Sequence, residues 1–267
     1  MGRVAGERMT LTILGLEYAF RWIPPGAFRM GSSKKEQKEA AANALEFGHE
    51  GVDYLEEQNR HKVKISRGFW MQESPISQGM WKSVMGNNPS LSLGSERLPV
   101  ERVSWNECQT FIEKLNGFGI CPDCFEFSLP TEAEWEYACR ARTTTPYWFG
   151  RSLNGDKANC YGLWPFGTDR QGPYLGKSTE PGAYPANRWG LYDMHGNVSE
   201  WVRDWFGIYP KAKVVDPSGP KRGFCRVFRG GSYGDLPVSC RAACRGTGTP
   251  DSHDCTVGAR LALRPVD

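Results

Sequence analysis

After Lys221 the chain contains no Lys, Glu, Gln, Trp or Met as far as Asp267, although the residues before it use all five freely. Long apolar runs are missing too. Nothing approaches the roughly 20 residues that cross a bilayer, and the mean hydropathy of -0.53 agrees with a chain that does not insert directly into a membrane. Excess charge of one sign is also missing. The 33 basic and 30 acidic residues are well mixed and leave a net charge of +3, so no basic stripe offers itself to nucleic acid. Histidine is scarce: His49, His61, His195 and His253 are the four, and no two stand at metal-ligand spacing. The nine cysteines are an odd number without the density of a disulfide scaffold. Cys121-Pro-Asp-Cys124 is a lone CxxC with no second pair, so it reads as two ordinary cysteines in a turn. At the N-terminus the apolar patch Leu11–Leu16 is short and runs straight into Glu17, which does not read as a signal peptide.

What is present points to an irregular domain. Counts of 31 Gly and 18 Pro imply many ordered loops, while 39% hydrophobic content supports a substantial core. Two helices announce themselves by capping boxes, Ser104-Trp-Asn-Glu107 and Thr131-Glu-Ala-Glu134. The first carries Trp105, Cys108, Phe111, Ile112 and Leu115 on one face and ends by Gly117–Gly119; the second runs to about Ala141, with Trp135 and Ala138 inward. FRWIPPGAFRMGS reads as strand, turn and strand, and HKVKISRGFWMQESPIS alternates as a strand does. Residues 33–62 form a charged, Ala-bearing stretch expected to be a helical insertion with a solvated face. No linker is visible, so 1–267 reads as a single α+β domain.

Several long motifs, in order, carry a resemblance. Trp22-Ile-Pro-Pro-Gly-Ala-Phe-Arg-Met-Gly31, Pro99-Val-Glu-Arg-Val-Ser-Trp105, Leu129-Pro-Thr-Glu-Ala-Glu-Trp-Glu-Tyr137, Gly190-Leu-Tyr-Asp-Met-His-Gly-Asn-Val-Ser-Glu-Trp201 and Arg229-Gly-Gly-Ser-Tyr233 together resemble the formylglycine-generating-enzyme-like family. The resemblance covers nearly the whole chain. It implies a C-type-lectin-like fold with two helices, small antiparallel sheets and much irregular loop.

That family offers three functions. Its copper oxidase needs two thiolates, the soft ligands that select Cu(I), two and seven residues after the aromatic of Gly-Gly-Ser-aromatic. Counted from Tyr233, those positions are Asp235 and Cys240, so the first sulfur is a carboxylate here. The resemblance also implies a bridge from Cys139 to a position that is Leu261 in this chain, so that bridge cannot form. The iron-dependent sulfoxide synthases take their histidines largely from an additional helical domain for which this chain has no room; His195, in its Met-His-Gly-Asn turn, reads as a structural hydrogen-bonding residue.

The third function is binding. The tail from Arg229 to Leu263 resembles the variable proteins of diversity-generating retroelements, with Gly230-Gly-Ser-Tyr233, Cys240-Arg241, Arg245, Pro250, Gly258 and Arg260 as its framework. In such systems template adenines are copied with errors, chiefly in asparagine codons ending in a pyrimidine. Changing their first two bases cannot produce Lys, Glu, Gln, Trp or Met, the five types the tail lacks. The resemblance makes 229–263 a variable ligand-binding region. Its candidate positions are Tyr233, Gly234, Asp235, Leu236, Val238, Ser239, Cys244, Gly246, Thr247, Thr249, Ser252, His253, Asp254, Cys255 and Thr256. The expected partner is a protein or glycan on another cell, or a phage receptor, and cell-surface display is expected from the resemblance, though no anchor is visible in the chain. No cofactor is required on this reading. The resemblance does imply a calcium site at Asp193, the carbonyls of Gly196 and Val198, and Glu200, an all-oxygen donor set suited to a hard cation. Ser199 stands where the family usually has Trp. A divergent oxidase using Cys240, and a non-catalytic domain with one fixed partner, are the alternatives.

Overall fold

Leu14 and Gly15 both take left-handed φ, +49° and +79°, and turn the N-terminal apolar patch into a hairpin of β1 (Arg8–Ile13) and β2 (Leu16–Ile23). Backbone twist of that sign matches paired strands, which is why two such residues suffice as a connection. The computed structural model describes residues 4–48, 57, 60–122 and 124–266. β3 (Gly26–Met30) follows a Pro-Pro turn and pairs antiparallel with β4 (His61–Ile65), whose alternating burial matches the alternation in its sequence. Between them lies α1 (Lys34–Glu46), N-capped by Ser33. Lys34, Lys35, Lys38, Glu39 and Glu46 face solvent as expected, while Ala40 and Ala44 are buried and Glu36 turns inward to Arg241. The rest of the 33–62 stretch, 49–56 with 58 and 59, lies outside the described residues.

After β5 (Phe69–Gln72) comes α2 (Gln78–Met85), capped by Ser77 and closed by Gly86 in the left-handed region. It lacks a capping box, because Met80 stands where an acidic residue would complete one. Both helices that did have one are present: α3 (Trp105–Gly117) and α4 (Glu132–Arg140), each with its reciprocal cap formed. β6 (Phe125–Ser128) lies between them. All nine residues of α4 are buried, charged ones included, so this helix is the centre of the molecule.

The second half supplies β7 (Ser199–Trp205), β8 (Val214–Val215), β9 (Arg226–Arg229), a 3-10 turn at Pro237–Cys240, β10 (Arg245–Gly248), β11 (Val257–Ala259) and β12 (Ala262–Pro265). Three small sheets result, in the orders β1-β2-β5-β12-β6, β10-β9-β7-β11 and β3-β4-β8. Most pairings are antiparallel; β11 with β7 and β4 with β8 are parallel. The end of the chain is therefore central. β12 fills the gap between β5 and β6, and β9, β10 and β11 make three quarters of the second sheet. The expected architecture holds; α1 lies in the stretch expected to be helical, and α2 is added to the two helices read from caps.

Candidate functional site

Four tail arginines are buried: Arg229, Arg241 and Arg260 have 0–1% of their surface exposed and Arg245 8%. A buried guanidinium must be paired, because an isolated charge out of water is strongly unfavourable. The tail has no Glu, so every glutamate comes from elsewhere. Arg245 grips Glu132 through Nε and Nη2 at 2.7 and 2.8 Å. Arg229 reaches Glu136 at 2.5 Å and Glu132 at 3.3 Å, and donates to the Ala242 and Ala243 carbonyls. Arg241 holds Glu57 at 2.6 Å and Glu36 of α1 at 3.0 Å. Arg260 takes Glu200 at 2.7 Å. Burial alone would push the Glu132 carboxyl up, yet the Arg245 and Arg229 charges hold it below its ordinary value. The residues named as framework thus nail the tail to α4, α1 and β7.

Between these anchors the candidate positions divide into three groups. Tyr233 and Gly234 lie beside Asp254, Cys255 and Thr256: a Cβ on Gly234 would stand 4.0 Å from the Thr256 methyl. Both loops hang from one segment, for Tyr233 N–H donates to the Asn197 carbonyl and Ser199 N–H to the Thr256 carbonyl, each at 2.9 Å. Asp235 and Asp254 hold their own turns, accepting from Ser232 and Thr256 respectively. A second group, Thr247, Thr249, Ser252 and His253, lies by the start of α3. There His253 Nε2 stands 2.9 Å from Glu107, and Asn106 N–H donates to the carbonyl of framework Pro250. Gly234, Thr247, Thr249, His253, Asp254 and Cys255 are exposed; Tyr233, Asp235, Ser252 and Thr256 are half-buried.

The third group departs from the expectation. Val238 is fully buried, and Leu236 and Cys244 pack against the same apolar cluster as Ala40 and Ala44 of α1. Val238 fills core there instead of facing a ligand, because α1 covers that side of the 3-10 turn; Ser239 is half-buried beside it. Gly246 is also constrained, since a Cβ would come 1.9 Å from the Phe228 ring. What sequence reasoning missed is an aromatic flank. Tyr161 N–H donates to the Asp235 carbonyl at 2.8 Å. Its ring lies 4.4 Å from that of Tyr174 and 5.1 Å from that of Trp164. The aromatic density of 161–174 was the available signal.

The oxidase positions are arranged for packing. Cys240 is fully buried, and the adjacent Cys160 thiol, then burial, pushes its own thiol well above the ordinary value. A thiolate is the form that binds copper or attacks, so Cys240 is disfavoured in that role. All nine cysteines are free, Cys139 among them, and both Cys139 and Leu261 are buried. His195 is buried, with Nδ1 2.8 Å from the Cys240 carbonyl and Nε2 accepting from Trp148 N–H at 3.0 Å. Burial lowers its pKa to about 4, so it is a neutral ring with both nitrogens committed.

The implied calcium donors fit poorly. Glu200 is closed by Arg260 on both oxygens and by Trp135 Nε1 at 2.7 Å. Asp193, at φ +56°, keeps Oδ2 without a hydrogen bond, and burial raises its pKa to about 7. One carboxylate and two carbonyls fall short of the six to eight oxygens calcium takes, and the charge a cation would bring to Glu200 is already supplied by Arg260. Among the described residues no cluster of three or more His, Cys, Asp or Glu could hold a metal.

The family described as "Sulfatase-modifying factor enzyme 1-like domain" matches residues 17–265, and the chain belongs to it. Among solved structures, Treponema denticola variable protein 1 superposes with a TM-score of 0.74 at 24% identity, covering 97% of this chain and 99% of that one. This is the protein whose likeness the tail framework suggests, and at that identity the likeness is one of C-type-lectin-like fold. PvdO from Pseudomonas aeruginosa gives 0.75 at 21% identity over 98% of this chain and all of that one. In sequence, the formylglycine-generating enzyme of Mus musculus is 31% identical over 76% of this chain and 53% of its own length. That of Streptomyces coelicolor is 35% identical over 68% and 57%. The chain thus spans little more than half the length of these two relatives. The mouse protein titled "Inactive C-alpha-formylglycine-generating enzyme 2" is 29% identical over 86% of this chain and 68% of that one, so the family holds members described as inactive as well as enzymes.

Proposed function

We propose that the chain is a non-enzymatic binding protein whose region 229–263 presents side chains diversified by a retroelement. The supporting observation is the division of labour within the tail. Arg229, Arg241, Arg245 and Arg260 are buried on glutamates outside it, while Gly234, Thr247, Thr249, His253, Asp254 and Cys255 reach solvent. A scaffold fixed at every anchor lets the side chains between change without moving the backbone. The ligand is a protein or glycan displayed on another cell, or a phage receptor. The present side chains are small and polar, so anchoring contacts come from Tyr233 and its Tyr161–Tyr174 flank, in keeping with the weight aromatics carry in interfaces.

Sequencing the coding locus tests the diversification. A neighbouring reverse transcriptase and a near-repeat of the 3′ coding end, differing at adenines, are expected; their absence sinks the reading. A second reading, a divergent copper oxidase using Cys240, draws on the relatives titled as formylglycine-generating enzymes. It requires oxygen consumption with copper and a cysteine-containing peptide, lost in Cys240→Ser. If neither result appears, pull-down of one constant partner favours a family domain with a fixed ligand.

A further inference from the structure

Charges that are well mixed along the sequence separate on the outer face of the β3-β4-β8 sheet. Arg29 stands opposite Lys62 in the antiparallel register of β3 and β4. Lys213 extends the row, because it precedes Val214, the partner of Val63 on β4. At a strand spacing of about 4.8 Å the three cations fall within about 10 Å across the sheet. Lys64 and Val215 make the next row. Arg29, Lys62, Lys64 and Lys213 are exposed, while Met30, His61, Val63 and Ile65 are buried on the other face. Like charges facing each other across strands are unfavourable, and none of the four is in an ion pair among the described residues. The fold thus gathers a cationic row that its described residues do not neutralise.

β8 lies inside a longer closed loop of the same character. Phe206 N–H donates to the Cys225 carbonyl at 2.8 Å and joins the two ends of that segment. It carries Lys211, Lys213, Lys221 and Arg222 against a single carboxylate, Asp216. Asp216 accepts from Ser66 N–H at 2.7 Å and from the Ser66 hydroxyl. The same segment exposes apolar side chains: Ile208 at 89%, Phe224 at 82% and Val215 at 54%. Ile208 and Phe224 both stand beside the closure. A Cβ on Gly207 would come 2.5 Å from Pro220, and one on Gly223 2.9 Å from Trp205. Pro210, Pro217 and Pro220 restrict the backbone, so docking would order little that is not already fixed.

We propose that this face docks on an anionic phospholipid surface. Arg29, Lys62, Lys64 and Lys213 meet the headgroup phosphates, and Ile208, Val215 and Phe224 rest at headgroup depth. A nucleic acid or a sulfated glycan matches the charges but leaves the apolar tips in water. A bilayer interface takes both. Basic side chains are drawn to the negative potential of such a surface, and salt screens the attraction. The contact is peripheral: side chains of a sheet and a loop reach the interface, and no backbone enters the hydrocarbon.

The test is flotation of the whole chain with vesicles of phosphatidylcholine alone and of equimolar phosphatidylglycerol and phosphatidylcholine. At low salt the partition should be at least about ten-fold greater on the anionic vesicles, and molar sodium chloride should abolish the difference. Lys62→Gln combined with Lys213→Gln should lower the partition about 25-fold, roughly five-fold for each lysine. Phe224→Ser should lower it at least about five-fold and keep the salt dependence. These side chains are exposed, so thermal melts of the variants should match the native chain. Equal flotation on both vesicles, flotation on neither, or a lysine double variant that floats like the native chain overturns the proposal. Retention on immobilised heparin or single-stranded DNA without flotation also overturns it, in favour of a polymeric anion. The lipid and salt comparisons use the native chain and depend on no variant.

Discussion

Arg245 and Glu132 face each other as a two-pronged ion pair, Nε to Oε1 at 2.7 Å and Nη2 to Oε2 at 2.8 Å, with both side chains almost wholly buried. One belongs to the tail and the other to the central helix, 113 residues apart. Arg229, Arg241 and Arg260 repeat the relationship with Glu136, Glu57 and Glu200. The tail's own carboxylates, Asp235, Asp251 and Asp254, are taken up by Ser232, Asn106 and Thr256, and its buried arginines are satisfied by closing onto the rest of the chain.

Arg245→Ala should therefore destabilise the fold severely. Removing one partner of a buried pair costs about 3–5 kcal/mol, because the other charge is stranded. Glu132 would keep Arg229 at 3.3 Å and Tyr209, which places the expected loss near the lower end of that range. Urea unfolding followed by fluorescence measures it, and a loss below about 1 kcal/mol would contradict the anchoring role.

Substitutions at exposed tail positions should behave in the opposite way. Thr249→Tyr, His253→Tyr and Asp254→Ser are expected to change stability by no more than about 0.5 kcal/mol, the usual range for surface changes. His253 gives up only a half-exposed contact with Glu107. Val238→Asp and Gly246→Tyr should both unfold or fail to express. The first puts a charge into the cluster beneath α1 and the second drives a side chain into the Phe228 ring. Thermal melts of the five variants distinguish display positions from packing positions directly.

Thiol reactivity separates the binding and oxidase readings by access. Cys124 and Cys255 are exposed, whereas Cys108, Cys139, Cys160 and Cys240 are buried. Labelling with an aromatic disulfide reagent at pH 8 should modify Cys124 and Cys255 within the first phase, and Cys240 only on unfolding. Peptide mapping of the labelled protein checks the assignment. Modification of Cys240 in the folded state at the rate of Cys255 would mean an open, reactive site and would favour the oxidase.

How much of this was legible beforehand depends on the kind of signal. α3 and α4 were readable because a capping box is local: Ser104 with Glu107, and Thr131 with Glu134, lie three residues apart. α2 has Ser77 as its cap but no acidic residue at the third position to mark it. The tail's framework was legible as motif, yet what the framework does was not, since each arginine finds its glutamate at long range. Val238 was misplaced for a related reason. A valine in a Gly- and Ser-rich loop looks like a display position until α1, about 200 residues earlier, is seen to cover it.

Asp193 decides the calcium question through pH. Its folded carboxyl titrates near 7, against about 3.8 when unfolded, so the native state holds the extra proton between those values. Stability from this group is complete below about pH 4 and is lost as pH rises through 7. His195, lowered to about 4, works the other way, with stability gained as pH rises from about 4 to 6.5. The comparison is therefore best made between the native chain and Asp193→Asn, in which the His195 contribution is common. The variant should be the more stable of the two at pH 8, the difference opening as pH rises from about 4 to about 7. Millimolar calcium should leave both curves unchanged, because Arg260 already occupies Glu200. If calcium instead stabilised the native chain at pH 8 and not Asp193→Asn, the orphaned Oδ2 would be a metal ligand and Arg260 would have to share Glu200 with the ion.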